Sequence, residues 1–305
     1  MPPPSADHPL AIRARMLAAI REFFHDRDFL EVETPVRVTT PVLEPHIRAV
    51  PAGGGWLRTS PELHMKRLLA EGWPRLVQIG PCFRAGETGP LHHPEFTMLE
   101  WYRAGAGLDE IERDLRELLP FVAVRATGRN VIRRGEGETD LTAPWAKLEV
   151  AEAFRRWAGW DPLAAWDEDR FDLDLVGKVE PALPRDRPVA LTGYPPQRAA
   201  FARTAPGPPP RAERFELYLD GVEVANAYDE LTDRTEHEQR YAEWAAQRQA
   251  AGDEVHPLDD AFLACLGRLP RCAGIALGVD RLAMLLCGAE SLDPVLAFRE
   301  RPPEV

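Results

Sequence analysis

Residues 215–228, FELYLDGVEVANAY, narrow most sharply what this chain can fold into. Two runs of apolar, aromatic and β-branched residues meet at Asp220-Gly221, a dipeptide suited to the left-handed backbone of a tight hairpin turn. Strands joined in this way pair antiparallel. Elsewhere there is no alternating series of strand, helix and parallel strand, and no GxGxxG or GxxxxGK[ST] loop. Rossmann and P-loop nucleotide folds are therefore disfavoured. The expected layout is α+β: a mostly antiparallel sheet flanked by helices. A length of 305 residues suits one large domain or two small ones.

Other segments supply the remaining elements. Residues 10–26 place Ile12, Met16, Ala19, Ile20, Phe23 and Phe24 at helical spacing. FLEVETPV (29–36) is an extended piece broken at Pro35, and 56–59 is a short strand. Ser60-Pro61-Glu62 opens a helix to about Ala70, with Ser60 as N-cap and Pro61 in the first helical position. RLVQIGPCFRA (75–85) and residues 95–103 are strands joined by a loop of about ten residues, longer than a tight hairpin needs. Residues 108–120 form an amphipathic helix, 128–145 a polar connector, 146–182 helical pieces and 189–194 a strand. A Pro/Gly loop spans 203–213, helices cover 233–251 and 257–267, and 272–288 is a strand that breaks into a helix at Gly278.

Net charge is −12, the reverse of the basic footprint of a nucleic-acid binder. Cys82, Cys265, Cys272 and Cys287 form no CxxC pair and no zinc-spaced cluster, and are expected to be buried thiols in a reducing compartment. MPPPSADHPL has no apolar signal core, and no apolar run approaches the ~20 residues of a membrane span. The expectation is a cytoplasmic protein with no membrane partner.

Three segments carry candidate chemistry. On a pleat, residues 95–103 put Phe96, Met98, Glu100 and Tyr102 on one face and Glu95, Thr97, Leu99 and Trp101 on the other. The first face suits a ligand with an aromatic base at one end and a cation at the other. It equally suits an amphipathic strand with a solvated glutamate. In GVDRLAMLL, Arg281 falls in the first turn of a helix, opposed to the helix dipole unless an anion binds there. Gly278 beside it permits close backbone approach. An exposed helical arginine is the alternative. Glu216 and Glu223, on adjacent strands, suit Mg²⁺ held together with substrate phosphates. Strict alternation separates Glu223 from Asn226, so a bulge is needed to bring both into one site.

Together these segments resemble the motifs of the class II aminoacyl-tRNA synthetases, most closely the lysine-specific ones. FLEVETPV is similar to motif 1, FRAGETGPLHHPEFTMLEWY (83–102) to motif 2 and GIALGVDRLAMLL (274–286) to motif 3. TSPELHMKRLL (59–69) and ERFELYLDGVEVANAYDELTD (213–233) also match lysine-type segments. The motif 1 helix begins near residue 10, leaving no room for an N-terminal OB-fold anticodon-binding domain. The architecture therefore resembles the truncated paralogues that modify translation elongation factor P, and implies one catalytic domain over 1–305.

The resemblance implies ATP-dependent activation of (R)-β-lysine, or lysine, and its transfer to a lysine of elongation factor P, with Mg²⁺ and a homodimer. It makes tRNA an unlikely acceptor. An anticodon-less enzyme charging tRNA or a small amine, and a non-catalytic paralogue, are the competing readings. The match assigns Arg84 to the α-phosphate and Arg281 to the γ-phosphate side, both as catalytic groups. It assigns Phe96 to adenine, and Ala85, Gly86, Glu87, His93, Val224 and Gly278 to the nucleotide surroundings. Glu216 and Glu223 are implied as Mg²⁺ ligands. Ser60, Pro61 and Glu62 would hold the substrate's amino end, Asn226 its carboxylate, and Tyr102 with Glu230 its side-chain ammonium. Four positions depart from the lysine pattern: Ala85-Gly86 replaces Asn-Glu, His93 replaces Asn, and Ala276 stands where Gly is usual. The Ala276 methyl, worth about 1–3 kcal/mol in a tight pocket, is expected to favour the β-amino isomer. His92 and His93 are candidate bases for the transfer.

Overall fold

The computed structural model describes residues 5–299. The stretch MPPPSADHPL lies partly outside the described residues, at positions 1–4. Helix α1 (Pro9–His25) leads to the edge strand β1 (Leu30–Glu31), helix α2 (Glu62–Ala70), strands β2 (Arg75–Phe83) and β3 (Glu95–Ala104), and helix α3 (Leu108–Thr127). β4 (Ala146–Glu149), α4 (Val150–Trp157), β5 (Val189–Tyr194), β6 (Arg211–Leu219) and β7 (Val222–Asp229) follow. α5 (Arg234–Ala251), β8 (Cys272–Gly278) and α6 (Val279–Leu286) complete the frame.

Spatially the main sheet runs β1-β2-β3-β8-β7-β6-β5-β4. Only its two outer pairs, β1 with β2 and β5 with β4, are parallel. The pairs between them are antiparallel, as the hairpin at Asp220-Gly221 requires. Both turn residues adopt positive φ, 49° and 73°.

One face of the sheet packs on α1, α3 and α6. Leu99 and Trp101 of β3, Ile275 and Leu277 of β8 and Ala225 and Ala227 of β7 share a core with the six α1 residues named from their spacing. Phe24 sits 5.1 Å from the Trp101 ring and 5.0 Å from Phe29. The alternate residues of the same strands turn to the opposite face and line a cavity.

Several segments differ from expectation. α3 runs seven residues past Pro120, to Thr127. A proline costs one helical hydrogen bond, but Val122, Ala123 and Ala126 beyond it are buried in the core, and Gly128 closes the helix in the left-handed conformation. The supposed connector contains a hairpin, Val131–Arg134 with Gly137–Asp140. The segment from residue 146 opens with β4 before becoming helical. Near Ser60 the helix starts one residue later than expected: Pro61 precedes it, while the Ser60 hydroxyl accepts from the Glu62 amide at 3.0 Å. Of the cysteines, Cys82, Cys265 and Cys272 are buried free thiols, and Cys287 is only half-buried.

Phe24→Ala should cost about 3–5 kcal/mol, because a large ring leaves a close-packed aromatic cluster. Urea denaturation should show a lower midpoint with an unchanged slope.

Candidate active site

A cavity of about 320 Å³ opens on the non-helical face of the sheet. β3 supplies Phe96, Met98, Glu100 and Tyr102, as the pleat predicts. β8 supplies Gly274, Ala276 and Gly278, and α6 supplies Arg281. The register places Ala276 between Glu100 on one neighbouring strand and Asn226 on the other.

β7 meets the bulge requirement. Leu217 pairs with Ala225 but Tyr218 pairs with Glu223, so Val224 is an extra residue in β7. This single insertion turns Glu223 and Asn226 to the same cavity. Ser60, Glu62, Arg84, Glu87, His93, Val224 and Glu230 also line it. Pro61, Ala85, Gly86 and Glu216 do not. Ala85 and Gly86 border a neighbouring surface depression. Glu216 stands behind the cavity wall, where one oxygen accepts from Tyr194 and Tyr218 at 2.5 and 2.9 Å and the other from Arg214. Its lone pairs are thus largely taken by the chain's own donors, unlike those of Glu223, the other carboxylate expected at a metal.

At one end of the cavity two arginines converge. Arg84 lies 5.2 Å from the Phe96 ring centroid, a cation–π distance that orders both groups. Among the described residues its buried Nε has no hydrogen-bond partner. Arg281 is anchored through the Glu223 carbonyl at 2.8 Å and faces the Glu223 carboxylate at 3.3 Å. Its other guanidinium nitrogen sits 2.7 Å from His92 Nε2. Burial and the Arg281 charge lower the His92 pKa, so the ring stays neutral and accepts from the guanidinium. That pairing occupies the Nε2 lone pair of His92. His93 Nδ1 lies 2.6 Å from the carbonyl of Glu95, the first residue of β3. A Cβ built on Gly278 would make only ordinary contacts with Arg281, so packing within the chain does not require the glycine. Asp280, also on the cavity wall, ties elements together: it pairs with Arg13 of α1 at 2.5 Å and accepts the Thr97 amide of β3 at 2.8 Å.

At the other end carboxylates collect. Glu62, Glu100 and Glu230 are buried around one ammonium, Lys66, which is fully buried and 2.5 Å from both Glu62 and Glu230. Burial alone would lower the Lys66 pKa, but the two carboxylates outweigh it and keep the group charged. Glu100 accepts from Ser60 at 2.7 Å and from Tyr102 at 2.8 Å. Burial, with Glu62 nearby, still pushes Glu100 up to about 7. Burial likewise lifts Glu230 to about 8 against the pull of Lys66. Three acids facing one ammonium leave negative charge for a cationic ligand to neutralise. Because Tyr102 donates to Glu100, its oxygen lone pairs remain available to such a cation.

Glu223 is also raised, by burial first and Glu216 second, and Glu180 reaches about 7 by burial, its interaction with Tyr218 opposing and Glu223 and Glu216 adding. These like charges suit a divalent cation that arrives with phosphates. Among the described residues no His/Cys/Asp/Glu group is arranged to hold a metal unaided.

A family model described as tRNA synthetases class II (D, K and N) matches residues 3–301. The chain belongs to this family. It has the α+β class II catalytic fold and is an ATP-dependent ligase by family. A protein of Hamiltonella defensa subsp. Acyrthosiphon pisum, named elongation factor P--(R)-beta-lysine ligase, is 36% identical over 94% of this chain and 93% of its own. A protein of the same name from Salmonella gallinarum is 39% identical over 97% of this chain and 96% of its own. Among the described residues no helix is long and apolar enough to cross a membrane.

Sequence reasoning missed Lys66 and Gly274. Lys66 carried a signal, the i, i+4 spacing from Glu62. Gly274 carried none: a Cβ there would fall 2.2 Å from the Tyr102 ring and 2.9 Å from Glu230, a conflict visible only across strands.

Glu100, Glu180 and Glu230, raised to about 7, 7 and 8, contribute stability that is full below their unfolded value near 4.5 and lost as pH rises through those folded values. Burial holds His237 down at about 4, which adds stability as pH rises from there to 6.5 and nothing above. Urea midpoints of the free protein should therefore fall between about pH 7 and pH 8.5. A rise over that window would refute the carboxylate surplus.

Proposed function

We propose that this chain activates (R)-β-lysine, or lysine, with ATP and Mg²⁺ as an aminoacyl-adenylate and transfers the acyl group to a lysine side chain of translation elongation factor P. The observation that carries the reading is one cavity with two arginines at one end and a surplus of buried carboxylate at the other. A diamino acid joined to a nucleotide has the matching charges. The named relatives, similar over nearly their whole length, support the acceptor.

In the first step the substrate carboxylate attacks the α-phosphorus in line and pyrophosphate leaves. The chain supplies no covalent nucleophile. Arg84 would neutralise charge on the transferring phosphoryl and Arg281 on the leaving group, both fixed before the reaction. Phe96 offers its ring to the adenine beside Arg84. Glu223 would hold the metal with phosphate oxygens, backed by Glu216, and the metal would add neutralising charge there. Ser60, Glu62, Tyr102 and Glu230 would grip the two ammonium groups, and Asn226 the carboxylate, while Ala276 trims the space beside it.

A homodimer fits the exposed Leu30 and Val36 beside the edge strand β1. The loop between β2 and β3 offers no lysine or arginine from Gly86 to Pro94, and a net charge of −12 gives a tRNA little to hold.

The deciding experiment incubates the chain with ATP, Mg²⁺, (R)-β-lysine and elongation factor P and weighs the factor by intact mass. A gain of one lysyl unit is expected. An unmodified factor with active ATP–pyrophosphate exchange would redirect the search to tRNA or a small amine. Arg281→Ala should lower exchange by about 100-fold or more without unfolding the protein. Gly274→Ala should raise the KM for the lysine substrate by about tenfold, because Tyr102 must leave its place.

A further inference from the structure

A second cavity of about 510 Å³ adjoins the first, and Glu44 and Ile47 line both. One of its walls is the exposed flank of α5, and another is the turn at residues 196–199. Its arginines are committed to the chain itself: Arg198 to Asp172, Arg214 to Glu216 and Arg240 to Glu236. Glu243 on the same wall has no ion pair among the described residues, so the free charge of this cavity is acidic.

Glu44 differs from every other carboxylate on the first cavity. Glu62 and Glu230 take Lys66, Glu100 takes Ser60 and Tyr102, Glu87 and Glu223 face Arg84 and Arg281, and Asp280 takes Arg13. No hydrogen bond or ion pair reaches the Glu44 side chain among the described residues. Its backbone is nevertheless fixed. Arg248, only 2% exposed, donates to the carbonyls of Glu44 at 2.8 Å and Ile47 at 2.7 Å. The groups that face Glu44 electrostatically are Arg84, Arg214 and His46, which favour its charge, and Glu62, which opposes it. Burial outweighs them and raises its pKa, which makes it a better proton acceptor than a solvated carboxylate.

We propose that Glu44 is the base of the transfer step, and that the second cavity admits the acceptor lysine. The inference rests on the functional reading above. The acceptor arrives as an ammonium, and its passage out of water lowers its pKa toward that of Glu44. Glu44 takes one proton. The freed amine attacks the acyl carbon of the adenylate, a C–N bond forms, and the C–O bond to phosphate breaks with its electron pair on AMP. The second nitrogen proton leaves on the AMP phosphate, and an amide remains.

The test compares three reactions of the full chain and its Glu44→Gln variant: ATP–pyrophosphate exchange, single-turnover transfer to elongation factor P, and capture of the adenylate by hydroxylamine, an amine already unprotonated at neutral pH. Transfer to the factor should fall by about 100-fold or more relative to exchange, and hydroxylamine capture far less. Glu44→Asp, which keeps a carboxylate, should recover part of the transfer. Equal losses in all three reactions, or undiminished transfer to the factor, would overturn the assignment. If the unaltered chain forms adenylate but leaves the factor unmodified, the functional reading fails and the base assignment with it.

Discussion

The two-residue period of β3 is the constraint on which the rest depends. Leu99 and Trp101 are buried against α1, and between and beyond them Glu100 and Tyr102 face the cavity. Core and chemistry are thus written into one strand, one residue apart. A slip of one residue would bury both polar groups in the helical layer and expose the tryptophan. The flanking strands are held to the same register, with Ala276 opposite Glu100 and Asn226 opposite Ala276. The Val224 bulge lets β7 keep its core face intact while presenting two polar side chains separated by an odd interval.

The site is built from charge that the protein does not fully balance. Buried carboxylates without matching cations are costly, and a free protein carries that cost as raised pKa values at Glu100, Glu223 and Glu230. Lys66 reduces the imbalance but does not abolish it. An internal lysine therefore occupies the same electrostatic niche that an amine ligand would share, and keeps the carboxylates apart when no ligand is bound. At the arginine end Arg281 is restrained by backbone carbonyls and a neutral histidine and faces the Glu223 carboxylate at 3.3 Å, so its guanidinium is already fixed in place for an incoming anion.

Much of this was legible from residue patterns. Helical spacing named the buried face of α1, and strand alternation named the cavity face of β3. The hairpin at Asp220-Gly221 fixed the antiparallel sense, and the mismatch between Glu223 and Asn226 called for a bulge. The failures have physical causes. Pro120 does not end α3 because the apolar residues after it gain more from burial than the helix loses in one hydrogen bond. The two tyrosines and the arginine that reach Glu216 from β5 and β6 are likewise contacts that local pattern cannot reveal. Gly274 and Glu44 depend on neighbours far along the chain.

The contact between Arg13, Asp280 and Thr97 joins α1, the start of α6 and β3 at one point. Arg281 is the next residue along from Asp280. A displacement of α1 therefore acts first on the phosphate end of the cavity, while the carboxylates at the other end sit farther from the contact, on α2, farther along β3 and just after β7. Whatever packs against the outer side of α1 therefore acquires a mechanical handle on the site, through its phosphate end first.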